Sequence, residues 1–507
     1  MISKVVPLVR PGRTFVVGEA ASLANSFGVR RRTTPDSFGV SFPARQGLPL
    51  QMAGQGTRFI VALGCLLLSL AGVRGEELPR RGFLGLNIDP SKPGPVPKTY
   101  LISSVAPGSL AAALEIRVGD DLVYIEKHLP ASRADLAEIA KGLRAGQRVT
   151  IDISRSGQSR LLTGILPEMP AETYPNADVL YESVATPKGE KLRVIVTRPK
   201  GATGKLPVIF VAGWLSCDSV EAPNDTTDAT SSVFQALAQL PGFCTVRMDK
   251  QGVGDSEGVC AETDFESELA GYRAAFRSLG QHDFIDADQV YLLGISNGGG
   301  FAPLVPETVA EQATVRGYVS VGGWVKTWVE HMLEIERRRF TLSGKAPGDV
   351  NDRMKSAAAL YPEWLVKGRP VDEIVRERPS LAEIWPEGPD RTHLYGRPLA
   401  FYQQLQKLNL AAAWSRVTVP TLLLRGQYDW IMSREDPEMM AGFVNASRPG
   451  AARFMELPAT GHTFQHYTSM EDAFRGKETS FDPATARVLV DWFKQVGQGG
   501  GSSSGEK

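Results

Sequence analysis

One serine, one aspartate and one histidine are the residues best suited by type and position to carry out chemistry. Ser296 follows the apolar run "YLLGI", Asp429 follows "TLLLRGQY" and His462 follows "RFMELPATG". A histidine can take the proton of a serine hydroxyl while the oxygen attacks a carbonyl carbon, and a carboxylate can hold the imidazole in the required tautomer. These three residues are therefore candidates for the nucleophile, the acid and the base of an acyl transfer.

Two glycines flank the serine at two-residue spacing, in Gly294-Ile295-Ser296-Asn297-Gly298. A strand that turns sharply into a helix needs small neighbours, so this Gly-x-Ser-x-Gly pattern predicts a turn that exposes the hydroxyl. The pattern alone is a weak signal, because only three of its five positions are fixed. Asp436 is an alternative acid, but it lies in "SREDPEMM", which has the pattern of a helix start. The other histidines have no matching context and are expected to be structural, peripheral or exposed: His128, His282, His331, His393 and His466.

Residues 178–497 alternate between apolar strand-like runs and helical patterns. Seven strands are predicted, at "RVIVTRP", "PVIFVAGW", "CTVRMDK", "QVYLLGIS", "GYVSVGG", "TLLLRGQ" and "RFMELPA". Buried strands that alternate with helices predict a mostly parallel sheet covered on both faces. In such sheets the loops at the carboxyl ends of the strands carry the site, which is where all three candidates lie.

The joint order of serine, aspartate and histidine, each at a strand end, resembles the α/β-hydrolase superfamily over roughly residues 178–497. The segment "DKQGVGDSEG" at 249–258 adds to the resemblance. The resemblance implies an α/β-hydrolase fold and a Ser296–His462–Asp429 triad that works through an acyl-enzyme without a metal or other cofactor. It also implies an oxyanion hole formed by the backbone N–H groups of Asn297 and Trp214. The chain departs from the common His-Gly pattern here, since it reads Ala-Gly-Trp-Leu at 212–215.

The alternation breaks between residues 324 and 417, where the pattern is mostly helical with proline-rich interruptions. Members of the resembled superfamily commonly carry a cap over the active site at this point, so a helical cap insertion is predicted. Five tryptophans fall in or at the edges of this stretch and are expected mostly to pack the core of the cap: Trp324, Trp328, Trp364, Trp385 and Trp414. Trp430, directly after Asp429, is a better candidate for lining the pocket.

Residues 80–167 read as five or six short strands with one amphipathic helix, which indicates a small α+β domain. The stretch resembles a bacterial-type PDZ domain in "FLGL" at 83–86 and in "APGSLAAALEIRVGDDLVYI". The resemblance implies that the loop of Phe83, Leu84, Gly85 and Leu86, with Arg80 or Arg81 nearby, binds the C-terminal carboxylate of a peptide. The alternative is that this domain only packs against its neighbour.

Three cysteines follow the N-terminal apolar segment: Cys217, Cys244 and Cys260. In the resembled fold, the loops that carry Cys217 and Cys260 emerge from neighbouring strands. A disulfide between these two residues is therefore predicted, and the alternative is that all three thiols are reduced. Cys244 opens a strand and is expected to lie in the core.

The N-terminal region is predicted to be removed or disordered. Arg58 precedes thirteen largely apolar residues, 59–71, with a small-x-small cleavage site at 69–71, which is typical of a secretory signal peptide at 52–75. Translation from Met52 would place this segment at the N-terminus. Residues 1–51 would then be a mis-assigned or disordered extension, with an arginine-rich transit segment as the alternative. A periplasmic or extracellular protein is predicted, with an uncleaved membrane anchor as the alternative, and residues 498–507 are a Gly/Ser-rich tail.

The bulk composition is that of an ordinary soluble protein, with 42% hydrophobic and 22% charged residues. Basic and acidic residues balance at 56 each, so nucleic acid is not expected as a partner. The leading prediction is an exported serine hydrolase of carboxylic esters, with a small ester as its substrate. A serine peptidase of the same fold and a non-catalytic scaffold that binds peptides are the alternatives.

Overall fold

The computed structural model describes residues 77–93, 99–130, 132–222, 228–307, 313–386 and 390–499. The predicted N-terminal extension, the predicted signal peptide and the end of the predicted tail from residue 500 onward lie outside these residues. Within the described ranges, no helix has both the length and the apolar character needed to span a bilayer.

A small N-terminal unit is built on a five-stranded antiparallel sheet with the strand order β1-β2-β3-β4-β5. Its strands are β1 (Leu86–Pro93), β2 (Tyr100–Val105), β3 (Asp121–Ile125), β4 (Arg148–Arg155) and β5 (Gln158–Ile165), and its helices are α1 (Leu110–Ala113) and α2 (Arg133–Gly142). Alternate residues of β4 face a shared apolar core that includes Ile88, Ile102 and Ile151. β1 is an edge strand of this sheet, and α2 contacts it.

The main sheet has eight strands in the order β15-β14-β11-β10-β8-β9-β7-β6. Its strands are β6 (Ala177–Ala185), β7 (Lys191–Pro199), β8 (Leu206–Ala212), β9 (Cys244–Met248), β10 (Ile285–Ile295), β11 (Val315–Val321), β14 (Thr421–Gly426) and β15 (Ala452–Leu457). The six strands from β15 to β9 run parallel, whereas β7 and β6 pair antiparallel at one edge. The predicted α/β class with a mostly parallel sheet is confirmed.

The central strands are mostly apolar because helices cover both faces of the sheet. In β8, Val208 and Phe210 face one core, and Ile209 and Val211 face the other. The first core includes residues of α4 (Phe265–Ser278) and α11 (Glu435–Ser447), and the second includes residues of α3 (Ala229–Ala238) and α13 (Pro483–Gly499). Two short helices complete this unit, α5 (Asn297–Phe301) and α12 (Met470–Phe474). This alternation of sides on one strand requires an unbroken apolar run rather than alternate polar residues.

A mostly helical insertion lies between β11 and β14. It contains α6 (Trp328–Leu342), α7 (Pro347–Leu365), α8 (Val371–Glu377), α9 (Leu399–Lys407), α10 (Leu410–Ser415) and a short ribbon of β12 (His393–Leu394) and β13 (Arg397–Pro398). The five tryptophans of this region are all buried, and they belong to the same apolar cluster as one face of the main sheet. The insertion is therefore packed onto the sheet rather than held apart from it.

Two arginines at the start of the small unit connect it to the main sheet. Arg80 is 7% exposed and donates to Asp255 Oδ2 at 2.6 Å and to Glu221 Oε1 at 2.8 Å. The backbone N–H of Arg81 donates to Asp255 Oδ1 at 2.8 Å, and its side chain donates to the carbonyl of Gly252 at 2.9 Å. Both guanidinium groups are therefore engaged by the larger unit.

Candidate active site

Ser296 lies at the sharp turn between β10 and α5. Its backbone has φ 56° and ψ −119°, a region that residues with a Cβ rarely adopt, and its N–H donates to the carbonyl of Val321 at 2.8 Å. A Cβ at Gly298 would lie 2.2 Å from the carbonyl oxygen of Ala212, and one at Gly294 would lie 2.4 Å from that of Gly298. Both positions therefore require glycine, because backbone atoms of the elbow exclude a Cβ at Gly294 and backbone atoms at the end of β8 exclude one at Gly298.

The three residues singled out in the sequence meet at this turn. His462 Nε2 lies 2.8 Å from Ser296 Oγ, and His462 Nδ1 lies 2.8 Å from Asp429 Oδ2. Asp429 is fully buried, whereas 12% of the His462 side chain and 7% of Ser296 are exposed. This is the geometry in which one imidazole can take a proton from the hydroxyl while its other nitrogen donates to a carboxylate.

Asp429 is held as a carboxylate by its hydrogen bonds. Burial acts to raise the pKa of Asp429, but the charge and hydrogen bond of His462, the charge of Arg425 and the N–H of Met432 together hold it below the usual value. Its Oδ1 accepts from the N–H groups of Ile431 and Met432, each at 2.9 Å. The carboxyl group is therefore an acceptor for the imidazole N–H at neutral pH.

Asp436, the alternative acid, has a different set of partners. Its Oδ1 accepts from the backbone N–H of Val325 at 2.9 Å, and its Oδ2 accepts from the Ser433 hydroxyl at 2.7 Å. These contacts join the start of the helical insertion to the loop after β14. The structure places Asp429, and not Asp436, against the imidazole.

The two predicted oxyanion residues lie on adjoining segments. Asn297 is the first residue of α5, and the first N–H groups of a helix have no acceptor within the helix. Trp214 lies two residues after β8, in a loop tied to the elbow by a hydrogen bond from Gly298 N–H to Gly213 O at 2.9 Å. The N–H of Gly213 donates to the Tyr272 hydroxyl oxygen at 3.0 Å.

A buried lysine donates to two backbone carbonyls of this loop, and no sequence motif predicts this role. Lys250 is 2% exposed, and its Nζ donates to the carbonyls of Trp214 and Leu215, the latter at 3.2 Å. Glu268 Oε1 lies 3.8 Å from the same nitrogen. Burial lowers the pKa of Lys250 to about 8, although the charge of Glu268 opposes this. The only hint in the sequence is a lysine two residues after the end of the strand β9.

The rest of the loop, through residue 222, is held by charged groups and by a disulfide. Cys217 and Cys260 form a disulfide with Cα atoms 6.0 Å apart, and Arg397 donates to the carbonyl of Cys260 at 3.1 Å. The N–H of Val220 donates to Asp249 Oδ1 at 2.8 Å. Every one of these partners comes from a different segment of the chain.

Trp430, the residue predicted to line the pocket, directly follows Asp429. Trp430 is 7% exposed and packs edge-on against Phe474, with ring centroids 5.0 Å apart. In the described ranges, no cluster of three or more histidine, cysteine, aspartate or glutamate side chains could hold a metal ion.

The family described as alpha/beta hydrolase fold matches residues 207–468. No curated protein matches the chain.

Among solved structures, the chain is similar to Est1E from Butyrivibrio proteoclasticus with bound ferulic acid, at 15% identity and a TM-score of 0.39, covering 62% of this chain and 99% of that one. It is also similar to the esterase Pf2001 from Pyrococcus furiosus, at 11% identity and a TM-score of 0.38, covering 65% and 96%. An esterase domain from Rhodothermus marinus has 18% identity and a TM-score of 0.37, covering 63% and 98%. These likenesses are too distant to transfer a substrate. The family match spans more than half of the chain, and the protein therefore belongs to the alpha/beta hydrolase fold family.

Proposed function

We propose that the protein is a serine hydrolase that cleaves carboxylic esters through an acyl-enzyme. The observation that carries this proposal is the single imidazole of His462, which lies 2.8 Å from both the Ser296 hydroxyl and the Asp429 carboxylate. The strained backbone of Ser296 supports it, because strain of this kind persists at functional sites.

In the proposed reaction, Ser296 Oγ attacks the ester carbonyl while its proton passes to His462 Nε2. The carbonyl oxygen becomes an oxyanion that accepts from the N–H groups of Asn297 and Trp214, each of which typically contributes about 3 to 4 kcal/mol to lowering the barrier. Collapse breaks the bond to the alcohol, which leaves with the proton from His462. Water then attacks the acyl-enzyme by the same route and releases the acid and the free serine.

Two of the acids near the predicted oxyanion loop are already paired with arginines, which bears on the choice between an ester and a peptide as the substrate. Asp249 pairs with the guanidinium of Arg193, and Glu268 pairs with that of Arg397. Neither carboxylate is left to anchor the amino terminus of a peptide. The peptidase alternative therefore has no acidic anchor at these two positions.

A fluorophosphonate probe tests the proposal directly. Wild type is expected to be labelled, and Ser296→Ala and His462→Ala are expected not to be. Cleavage of aryl esters but not of aminoacyl anilides would favour the esterase over the peptidase. A folded, oxidised wild type that takes no label would refute the proposal and leave the non-catalytic scaffold.

A matched pair of variants tests the choice of acid. Asp429→Asn is expected to lower kcat about 10⁴-fold, because the wrong imidazole tautomer is then favoured. Asp436→Asn keeps the partners of His462 and is expected to retain most of the activity. Equal losses in the two variants would contradict the assignment of Asp429.

Peptide binding by the small unit is a second proposal. The observation that favours it is the position of β1, which is an edge strand with α2 packed beside it and is preceded by Gly85 at φ 68°. A peptide could add as a further strand here, with its carboxylate at the loop of Phe83, Leu84, Gly85 and Leu86. Titration with peptides that end in a free carboxylate or an amide tests this, and no binding of either would refute it.

We also propose that the protein is exported. The disulfide between Cys217 and Cys260 supports this, because such bonds persist mainly in oxidising compartments. Sequencing the N-terminus of the mature protein tests the proposal, and a mature chain that retains residues 52–71 would contradict cleavage.

A further inference from the structure

Three buried polar groups beside the elbow have no hydrogen-bond partner among the described residues. They are Asn297 Nδ2, Trp328 Nε1 and His331 Nδ1, on residues that are 1%, 3% and 3% exposed. Buried polar groups are nearly always paired in folded proteins, so three unpaired ones in one region require an explanation. We call these three groups the polar subsite.

The three groups are connected to Ser296 by a short series of contacts. Asn297 follows Ser296 in the chain, and its Oδ1 accepts from Trp324 Nε1 at 3.0 Å. This bond assigns the amide orientation and leaves Nδ2 as the free donor. The ring of Trp324 lies edge-on to that of Trp328 at 4.8 Å, and the ring of Trp328 lies 4.7 Å from that of His331.

His331 lies close enough to the proposed triad to interact with its charges. Burial, reinforced by the charges of Arg338 and His462 and opposed by that of Asp429, lowers the pKa of His331 to about 3. The imidazole is therefore neutral at neutral pH and offers one donor and one acceptor.

The cations closest to this region are already engaged. Arg338 donates to the carbonyls of Trp430 and Ile431 at 2.6 and 2.7 Å. Lys326 donates to Glu334 at 2.5 Å and to Ser433 at 3.0 Å. The polar subsite therefore consists of uncharged hydrogen-bonding groups on one amide and two aromatic side chains, which suits an uncharged oxygen better than a carboxylate.

We propose that the polar subsite binds an uncharged oxygen substituent, such as a hydroxyl, ether or keto group, on an aromatic acyl group of the ester substrate. This inference rests on the proposed esterase function and names its substrate class. The acyl part is favoured over the alcohol because it stays attached to Ser296 through both steps, which suits an enclosed site. The alcohol must leave after the first step and needs a path to solvent.

The experiment compares three aryl esters that differ only in the acyl group: a phenylpropanoate, its hydroxyphenyl analogue and its carboxyphenyl analogue. Wild type is expected to prefer the hydroxyphenyl ester over the plain one by about tenfold in kcat/KM, as one or two hydrogen bonds allow. It is expected to discriminate against the carboxyphenyl ester.

Trp328→Phe removes the indole N–H and keeps an aromatic ring, so this preference is expected to fall to within about threefold. Trp364→Phe is the matched control. Trp364 Nε1 is also buried and unpaired, but its ring packs against Trp385 and Tyr402 within the insertion. The preference is expected to be unchanged in this control.

A binding measurement separates failure of the subsite from failure of the proposed function. Ser296→Ala is titrated with the plain and the hydroxyphenyl esters, and the hydroxyphenyl ester is expected to bind about tenfold more tightly. Equal Kd values would overturn the subsite whether or not wild type is labelled by a fluorophosphonate. A preference that survives in Trp328→Phe, or that follows oxygen on the alcohol instead of the acyl group, would also overturn it.

Discussion

The elbow at Ser296 and the loop at 213–222 meet at one site, but they are held in opposite ways. The elbow depends on two glycines of its own motif: a Cβ at Gly294 would meet the backbone of Gly298, and a Cβ at Gly298 would meet the backbone at the end of β8. The loop is held by distant groups, among them Lys250, Asp249 and the disulfide to Cys260. A short motif therefore specifies the turn at Ser296, the proposed nucleophile, whereas the predicted oxyanion loop depends on contacts from several segments.

The largest expected effect comes from breaking the elbow. In Gly298→Ala the new Cβ would lie 2.2 Å from a backbone carbonyl, so the turn must shift. Aryl ester hydrolysis is expected to fall at least about 100-fold, because a misplacement near 1 Å can cost that much. Gly442→Ala in α11 is the control, since its Cβ would meet nothing within 4 Å. This control is expected to retain activity and to gain about 0.5–1 kcal/mol of stability. Full activity in Gly298→Ala would contradict the requirement for glycine at this position of the elbow.

Breaking the support of the loop should have the next largest effect. Lys250→Met keeps the aliphatic stem but removes the donor to the carbonyls of Trp214 and Leu215. We expect kcat to fall roughly 10- to 100-fold with little change in KM, because misplacing an oxyanion donor acts on the transition state.

Lys200 offers a matched control for this variant. It is exposed, and its Nζ also donates to two backbone carbonyls, those of Tyr174 at 3.0 Å and Pro175 at 3.1 Å. Lys200→Met is expected to leave kcat unchanged. Similar kinetics in the two variants would mean that the buried lysine has no special part in holding the loop.

Removing the disulfide should affect stability more than catalysis. The bond joins residues separated by 43 positions, and opening such a loop costs up to about 4 kcal/mol in the chain-entropy model. Cys217→Ala with Cys260→Ala is expected to lower the free energy of unfolding toward this amount, measured by denaturation in urea. Dithiothreitol should lower the unfolding midpoint of wild type but not that of the double variant. An unchanged midpoint in reduced wild type would contradict the role of the bond.

The smallest expected effect is a dependence of kcat on pH, which comes from the lysine that holds the loop and not from the elbow. Loss of the Lys250 proton above pH about 8 should weaken its hold on the loop, so kcat of wild type is expected to decline there. Lys250→Met should lack this decline. The charged groups that act on this amine are Glu268, Arg397, Asp218 and Asp249.

The effect of this group on folding has the opposite sign. Its pKa in the folded chain lies below the unfolded value near 10.5, so the unfolded chain binds the extra proton between about pH 8 and 10.5. The contribution of Lys250 to stability therefore rises with pH in this window. Urea denaturation at pH 7.5 and 10 measures the difference between wild type and Lys250→Met, and an identical pH dependence in both would contradict the lowered pKa.

The sequence was sufficient to predict the features that depend on local pattern. Seven of the eight main strands contain apolar runs that could be recognised in the sequence. Each residue of the Ser–His–Asp arrangement lies within five residues after the end of one of these strands. β6 was not predicted, because most of its residues are only partly buried and it pairs only with β7 at the edge of the sheet. The turn at Ser296 could be predicted because its glycines lie within two residues of it.

Features that depend on distant partners could not be predicted in the same way. Arg80 lies just before the predicted peptide-binding loop, and nothing in the sequence indicates that it pairs with Asp255, 175 positions away. Nothing in the sequence separates Lys250 from an ordinary charged residue after a strand. The carbonyls to which it donates belong to a loop 35 and 36 positions earlier in the chain. The unpaired nitrogen of Trp328 likewise has no sequence signature, because the absence of a partner is a property of the packed structure.

Modification of the buried thiol of Cys244 can be used to measure unfolding of the main sheet. This residue begins β9 in the main sheet, is completely buried, and has a pKa that burial raises to about 12. A thiol reagent can therefore reach its sulfur only when the sheet separates. In a chain that begins at residue 77, the rate of modification would follow cooperative unfolding of the sheet, without an added label and without interference from the oxidised pair.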